Sequence, residues 1–431
     1  MKPVWKSSLY ELWKRARVAA WWGRFRLSAG LGGLRAVAPV SNIDIRTPTE
    51  RFEILETRSA FLGGAVKTPR IWRARLPATI DLPLNALADL CVPGPDGWRP
   101  WVLKAASYES PPLNFVRLRD AVLFVHAGAV MPRPWSILRD TRPHWLHLGK
   151  PLPGTVDMVD NIPQLRLAAT RPTQIVDGPI LSLCHAFGTN YGHWLLDGLP
   201  GLIPLLDLVS AGKLLVLSSP LETWKRQTLE LLGIPASSIV EIEDDTVGVK
   251  ELVCHSLGGR QHLARPSTLI VEVFERLGAA TDRIAEGLRP ARIYVSRRKV
   301  TWQRQFSVEQ QLEEALGRLG FVTVHPEQLT LSEQIATFSR AEVIVGPHGS
   351  GLLNSGFAPR GCLVIEIVPE FMRPAATYGL VRQMSHHLIV VVAQRDPTDS
   401  PSEPKPHYSV DVADLVARVR AGMERLGIAS R

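Results

Sequence analysis

Glu342-Val-Ile-Val-Gly-Pro-His-Gly-Ser-Gly351 is the stretch on which the reading of the fold turns. A short apolar run enters a glycine-rich turn that opens a second apolar segment, the pattern of a buried strand passing into a helix. Glycines at 346, 349 and 351 let backbone approach a ligand closely, and the free N–H groups of a new helix favour an anion there. A diphosphate fits such a turn. Glu366 follows Gly346 by about 20 residues, the spacing at which Rossmann-like sites place a carboxylate on a ribose hydroxyl. The same loop alone also suits a tight turn that merely packs closely; Glu366 is what adds weight to a ligand.

Outward from this turn, strands are expected at Arg292–Ser296, Phe321–Val324, Glu342–Val345 and Cys362–Val368, with helices at Val308–Leu319, Leu331–Phe338 and Ser350–Phe357. Such alternation calls for a parallel sheet covered on both faces. An earlier series precedes it: strand Ile180–Phe187, helix Asn190–Leu199, strand Lys213–Ser218 and helix Leu221–Leu232. Residues 266–287 are helical in pattern, and Arg289-Pro290 then breaks the chain. From Thr47 to Arg171, short apolar runs such as Ala121–His126 alternate with Pro and Gly, which reads as strands and turns. A final helix is expected at Val410–Leu426. The fold class is therefore α/β, divided into a basic segment 1–45, an N-terminal lobe 46–287 with an extra β-rich region, a C-terminal Rossmann-like lobe 288–395, and a linker with a last helix, 396–431.

Two further constellations carry chemistry. Tyr294-Val-Ser-Arg-Arg-Lys299 ends a strand with three cations. At the carboxyl end of a parallel strand, Arg297 and Arg298 would point into the ligand crevice and neutralise a departing diphosphate without metal. A solvated surface run has the same sequence, and the strand end favours the crevice. Cys184-His-Ala-Phe-Gly-Thr-Asn-Tyr-Gly-His-Trp-Leu-Leu-Asp197 sets polar groups between a strand and a helix. His193 and Asp197, at i and i+4, share a helical face, and a carboxylate beside an imidazole raises its basicity. That pair suits a general base for a sugar hydroxyl. Asn190 is placed to cap the helix, and Tyr191 and Trp194 offer flat surfaces to sugar rings. On spacing alone, a capped helix whose His and Asp simply bond one another at a lobe interface fits somewhat better.

Composition narrows the classes. The net charge of +9 is concentrated at the start, where residues 1–35 carry eight Lys and Arg against Glu11, a net +7 that leaves +2 for the rest. A nearly neutral body excludes a nucleic-acid backbone as partner. The start is rich in Trp and spaced as an amphipathic helix, suited to an anionic membrane surface or to packing on protein. Four scattered cysteines suggest a reduced, cytoplasmic protein with no zinc cage. No run of about 18 apolar residues offers a membrane span, and no signal peptide is expected. Glu243-Asp-Asp245 is the nearest approach to an acidic metal motif, in a charged stretch without a strong strand before it.

The sequence resembles the family-61 glycosyltransferases, including bacterial capsular and exopolysaccharide-type members. The likeness rests on Asn190-Tyr-Gly-His-Trp-Leu-Leu-Asp-Gly-Leu-Pro200, Tyr294-Val-Ser-Arg-Arg298, Val345-Gly-Pro-His-Gly-Ser-Gly-Leu-Leu-Asn354, Phe357-Ala-Pro and Val364-Ile-Glu366, over roughly residues 175–395. The resemblance implies a GT-B-like architecture, two Rossmann-like lobes facing a cleft, with a last helix that commonly crosses back to the first lobe. It implies a metal-independent, inverting enzyme with no cofactor, moving a sugar from a nucleotide-sugar, expected to be UDP-linked, to a glycan or glycolipid in surface polysaccharide synthesis. Arg297, Arg298, Gly346, His348, Gly349, Ser350, Gly351, Asn354 and Glu366 would meet the donor. His193 or Asp197 would face the acceptor, beside Asn190, Tyr191 and Trp194. An Asn-Glu pair that often follows the arginines is absent, with Arg304-Gln-Phe-Ser307 in that region. Residues 1–35 suit a peripheral contact with the inner face of the plasma membrane as well as they suit packing on protein, and both this choice and the oligomeric state are left open. Rival readings are a nucleotide-dependent oxidoreductase and a non-catalytic membrane-associated assembly protein.

Overall fold

The computed structural model describes residues 52–81, 85–93, 107–110, 112–132, 172–185, 188–257, 266–281, 289–300, 305–370, 372, 376–399 and 407–429, with short strand segments at 37–39, 41–43, 136–138, 156–159 and 162–166. The expected amphipathic helix at the start lies outside the described residues. The fold is mixed α/β with parallel sheets. The chain forms two compact units, Met1–Leu76 with Pro111–Gln261 and Pro77–Ser110 with His262–Arg431. Among the described residues no helix is long and apolar enough to cross a membrane.

The first unit is organised on a sheet of β1 (Glu53–Leu55), β2 (Arg70–Arg73), β3 (Asn114–Phe124), β4 (Ala129–Met131), β5 (Ile175–Ser182), β6 (Leu215–Ser218), β7 (Ile239–Glu241) and β8 (Thr246–His255). Its order is β7-β6-β5-β8-β3-β2-β1, with β4 beside β3. The first four of these run parallel, and β8 meets β3 antiparallel. Within the parallel part, the strand first in sequence, β5, lies between β6 and β8, so chain connections leave it in opposite directions. That is a topological switch point, where ligands bind beyond the carboxyl ends of the strands.

The second unit is a sheet of β9 (Arg292–Val295), β10 (Val322–Val324), β11 (Val343–Pro347), β12 (Leu363–Pro369), β13 (His387–Arg395) and β14 (Tyr408–Ser409). Its order is β10-β9-β11-β12-β13-β14, parallel but for β14. The first five strands thus follow the doubly wound 2-1-3-4-5 order, with its switch point between β9 and β11. Strands β11 and β12 are buried along their whole length, which is why Val343-Ile-Val and Leu363-Val-Ile read as unbroken apolar runs. The sequence places a break near 288, but the helix α1 (Leu269–Thr281) joins the second unit because Phe274 packs against Phe357 with ring centroids 4.7 Å apart. The last helix, Val412–Arg425, lies on this unit's own strands. A methyl at its Gly422 would come within 2.9 Å of Ile389 Cδ1 and 3.1 Å of Leu363 Cδ2, so only glycine permits that approach.

Candidate active site

Strand β9 delivers Ser296, Arg297 and Arg298 to its carboxyl end, and β11 delivers His348 and Gly349 to the neighbouring one. The two strands flank the switch point of the second unit. The Arg297 guanidinium lies directly against Gly349: a methyl on that glycine would overlap its Nη1. Gly349 has φ 166°, an extended backbone open to any residue, so the glycine is there for space and not for conformation. Gly346 and Gly351 face protein; added methyls would meet Val295 Cβ at 2.9 Å and both Val295 Cγ1 and Pro326 Cγ at 3.3 Å. These two glycines seat the turn on β9. Ser350 opens a 3-10 helix, Ser350–Phe357.

His348 is held from behind. Its Nδ1 lies 2.6 Å from Glu366 Oε1, and Thr377 Oγ1 donates to the same oxygen at 3.0 Å. Glu366 is fully buried, and its oxygen accepting from the ring fixes the Nδ1–H tautomer, leaving the Nε2 lone pair on the outer side of the ring. Asn354 is also fully buried, and its Nδ2 donates to Gln334 Oε1 at 2.8 Å. Glu366 and Asn354 therefore spend the bonds described here on protein groups.

The two arginines differ. Arg298 is half exposed and its Nη1 pairs with Glu313 Oε2 at 3.0 Å. Arg297 is oriented through its backbone, whose N–H donates to Glu309 Oε1 at 2.6 Å. Ser296 Oγ lies 3.0 Å from Glu309 and 2.7 Å from Glu313, one hydroxyl proton serving two carboxylates, and Tyr294 Oη donates to Glu309 at 3.3 Å. Burial pushes the Glu309 carboxyl up, and the Arg297 N–H works against that rise. Sequence reasoning missed Glu309. Its signal was a glutamate at the first position of the helix Glu309–Gly317, where a carboxylate complements the dipole.

In the first unit, β5 leads to a helical run that starts at Tyr191–His193, passes through a π-turn at Trp194–Gly198 and continues as Leu199–Leu202. Asn190 Oδ1 accepts the His193 N–H at 3.2 Å, which makes Asn190 the cap. Pro200 lacks an N–H, so the regular ladder cannot continue there, and the Leu199 N–H reaches back to the Trp194 carbonyl. His193 Nδ1 donates to Asp197 Oδ2 at 2.7 Å, and both groups are buried. Burial pushes the Asp197 carboxyl up to about 6, while the His193 hydrogen bond opposes the rise. His185 stacks on His193, ring centroids 5.5 Å apart, and the ring of His255 fills the space that a side chain at Gly201 would need.

Trp194 turns inward, and Tyr191 is half-buried. Trp194 is 2% exposed, donates from Nε1 to Thr228 Oγ1 at 2.8 Å and meets Trp224 edge-on. Tyr191 makes an edge contact with Trp224, and burial raises its phenol well above the usual range. Lys225, buried beside both indoles, pairs with Glu222 at 2.5 Å.

Residues 191–365 match the family model described as Glycosyltransferase 61. No curated protein matches the chain. The matched stretch contains His193, Asp197, Arg297 and the turn at Gly349, and the match supports a glycosyltransferase activity in general terms.

Proposed function

We propose that the chain is a metal-independent, inverting glycosyltransferase of the GT-B kind, moving a sugar from a UDP-linked donor to a hydroxyl of a glycan or glycolipid in surface polysaccharide synthesis. The observation that carries this reading is the Arg297 guanidinium seated on Gly349 between the carboxyl ends of β9 and β11. A guanidinium beside helix N–H groups at a switch point suits a diphosphate, since charge develops on the leaving phosphate and both kinds of donor are already in place. His348, braced by Glu366, adds a polar group to the same turn. The acceptor proton is assigned to Nε2 of His193, whose Nδ1–H is tied to Asp197. In one displacement the acceptor oxygen bonds to the anomeric carbon, the bond from that carbon to the diphosphate breaks, the proton passes to His193, and the nucleoside diphosphate departs. The basic segment 1–35 is assigned to an anionic membrane surface, where a lipid-linked acceptor would be met.

Ligand-induced stabilisation tests the donor assignment. UDP at saturating concentration should raise the melting temperature of the wild-type chain and leave that of Arg297→Ala unmoved. An equal rise in both would remove the diphosphate from this turn. Transfer should also persist in excess chelator; complete loss restored by manganese would reject the metal-free scheme.

A further inference from the structure

Three side chains that follow β5 form a cluster that proton transfer alone does not require. His185, His193 and Asp197 are each buried, and one donor atom from each lies within 4.8 Å of the others. Asp197 Oδ2 is 2.7 Å from His193 Nδ1 and 3.9 Å from His185 Nε2. Donor atoms about 2.0–2.1 Å from a tetrahedral zinc ion sit about 3.3 Å apart, a value that these two separations bracket. Asp197 Oδ1 is buried with no hydrogen-bond partner among the described residues. A buried carboxylate with an unused oxygen lacks a compensating charge. The buried cations described in this unit do not supply one, since Arg117 pairs with Glu251 and Lys225 with Glu222.

We propose that His185, His193 and Asp197 bind a divalent transition-metal cation of the zinc type, and that the bound ion takes His193 out of proton transfer. Two imidazoles and a carboxylate are the donor set of a borderline cation, whereas calcium and magnesium take oxygen ligands. Three protein ligands also leave a fourth position open. Coordination through His193 Nδ1 moves the ring proton to Nε2, so the nitrogen that would accept the acceptor's proton has no lone pair. The first half of this proposal stands on the cluster; the second rests on His193 as the base.

The test uses the full chain, stripped with chelator and titrated with Co2+. The wild type should develop visible d–d absorption that saturates at one ion per chain and is displaced by Zn2+. Asp197→Asn and His185→Gln should lose the band while keeping the circular dichroism of the wild type. No band and no zinc retained after dialysis in the wild type would overturn the site, as would equal binding in both variants. In transfer assays, stoichiometric Zn2+ should lower the rate by about a hundredfold, reversed by chelator. Saturated binding with an unchanged rate would overturn the silencing of His193 and leave the ion site standing, and binding can be read even if the chain transfers no sugar.

Discussion

Gly349 is a position where one methyl group would separate folding from the proposed donor binding. Its backbone is open to alanine and the group it would strike is the end of a flexible side chain, so Gly349→Ala should change stability by no more than about 0.5 kcal/mol. The displaced guanidinium should nevertheless weaken UDP binding by about tenfold, or about 1.4 kcal/mol. Calorimetric titration beside a thermal melt checks this, and an unfolded variant or undiminished affinity would each contradict it. At this scale the sequence was only partly legible. It named residue types and not the directions in which they point. Arg297 and Arg298 are equivalent as letters, yet Glu313 takes one and Gly349 receives the other. Trp194 and Asn354 have the chemistry of ligand contacts, but Thr228 and Gln334 satisfy them inside the protein. Glu309 escaped notice because it lies 12 residues after the arginine whose N–H it holds, on the far side of a turn.

Elements were more legible than residues, because periodicity survives where direction does not. The helix Leu331–Phe338 appears within the bounds the pattern sets, closed by a capping box of Thr330 and Glu333, and β9, β10, β11 and β12 fall within two residues of expectation. The strand β13 and the helix Ala376–Gln383 before it went unread, since the His387–Arg395 run has no turn signal in front of it as clear as the Gly349 loop. The expected helix at Ser350–Phe357 is wound as 3-10, tighter than the apolar spacing alone implies. Its packing gives a prediction for this scale. A methyl at Gly356 would sit 2.5 Å from Phe274 Cε1, and that ring is buried and packed on Phe357. Gly356→Ala should cost roughly 1–3 kcal/mol by overpacking, measured by denaturant unfolding. Shrinking the ring in the double variant with Phe274→Leu should recover part of the loss; a fully additive pair would show that the two do not touch.

For the whole molecule, the division into units does not follow the order of the chain. Residues 77–110 belong with 262–431. Asn85 Nδ2 donates to the Leu388 carbonyl at 3.1 Å, the Val92 N–H to the Val390 carbonyl at 2.8 Å, and Arg418 to the Leu90 carbonyl at 2.8 Å. Val92 bridges Val391 in parallel and so extends the surroundings of β13. A fragment that begins at residue 262 should consequently melt below the intact chain, and a peptide of residues 77–110 added in trans should raise its transition. Circular dichroism on the fragment with and without the peptide decides this; a fragment indifferent to the peptide would mean that the early segment is dispensable. No periodicity could have revealed this arrangement, because pairing between distant stretches leaves no local mark.

The same interleaving bears on how the protein is born. The Cys91 thiol that receives the Val390 N–H is 299 positions away from it, so on the ribosome the early segment must wait for nearly all of translation before it finds its bonding partners. Contacts of such long range are closed late and slowly. Residues 111–261 can condense as they emerge, and the nascent chain would carry residues 77–110 as an unspent thread until β13 leaves the exit tunnel.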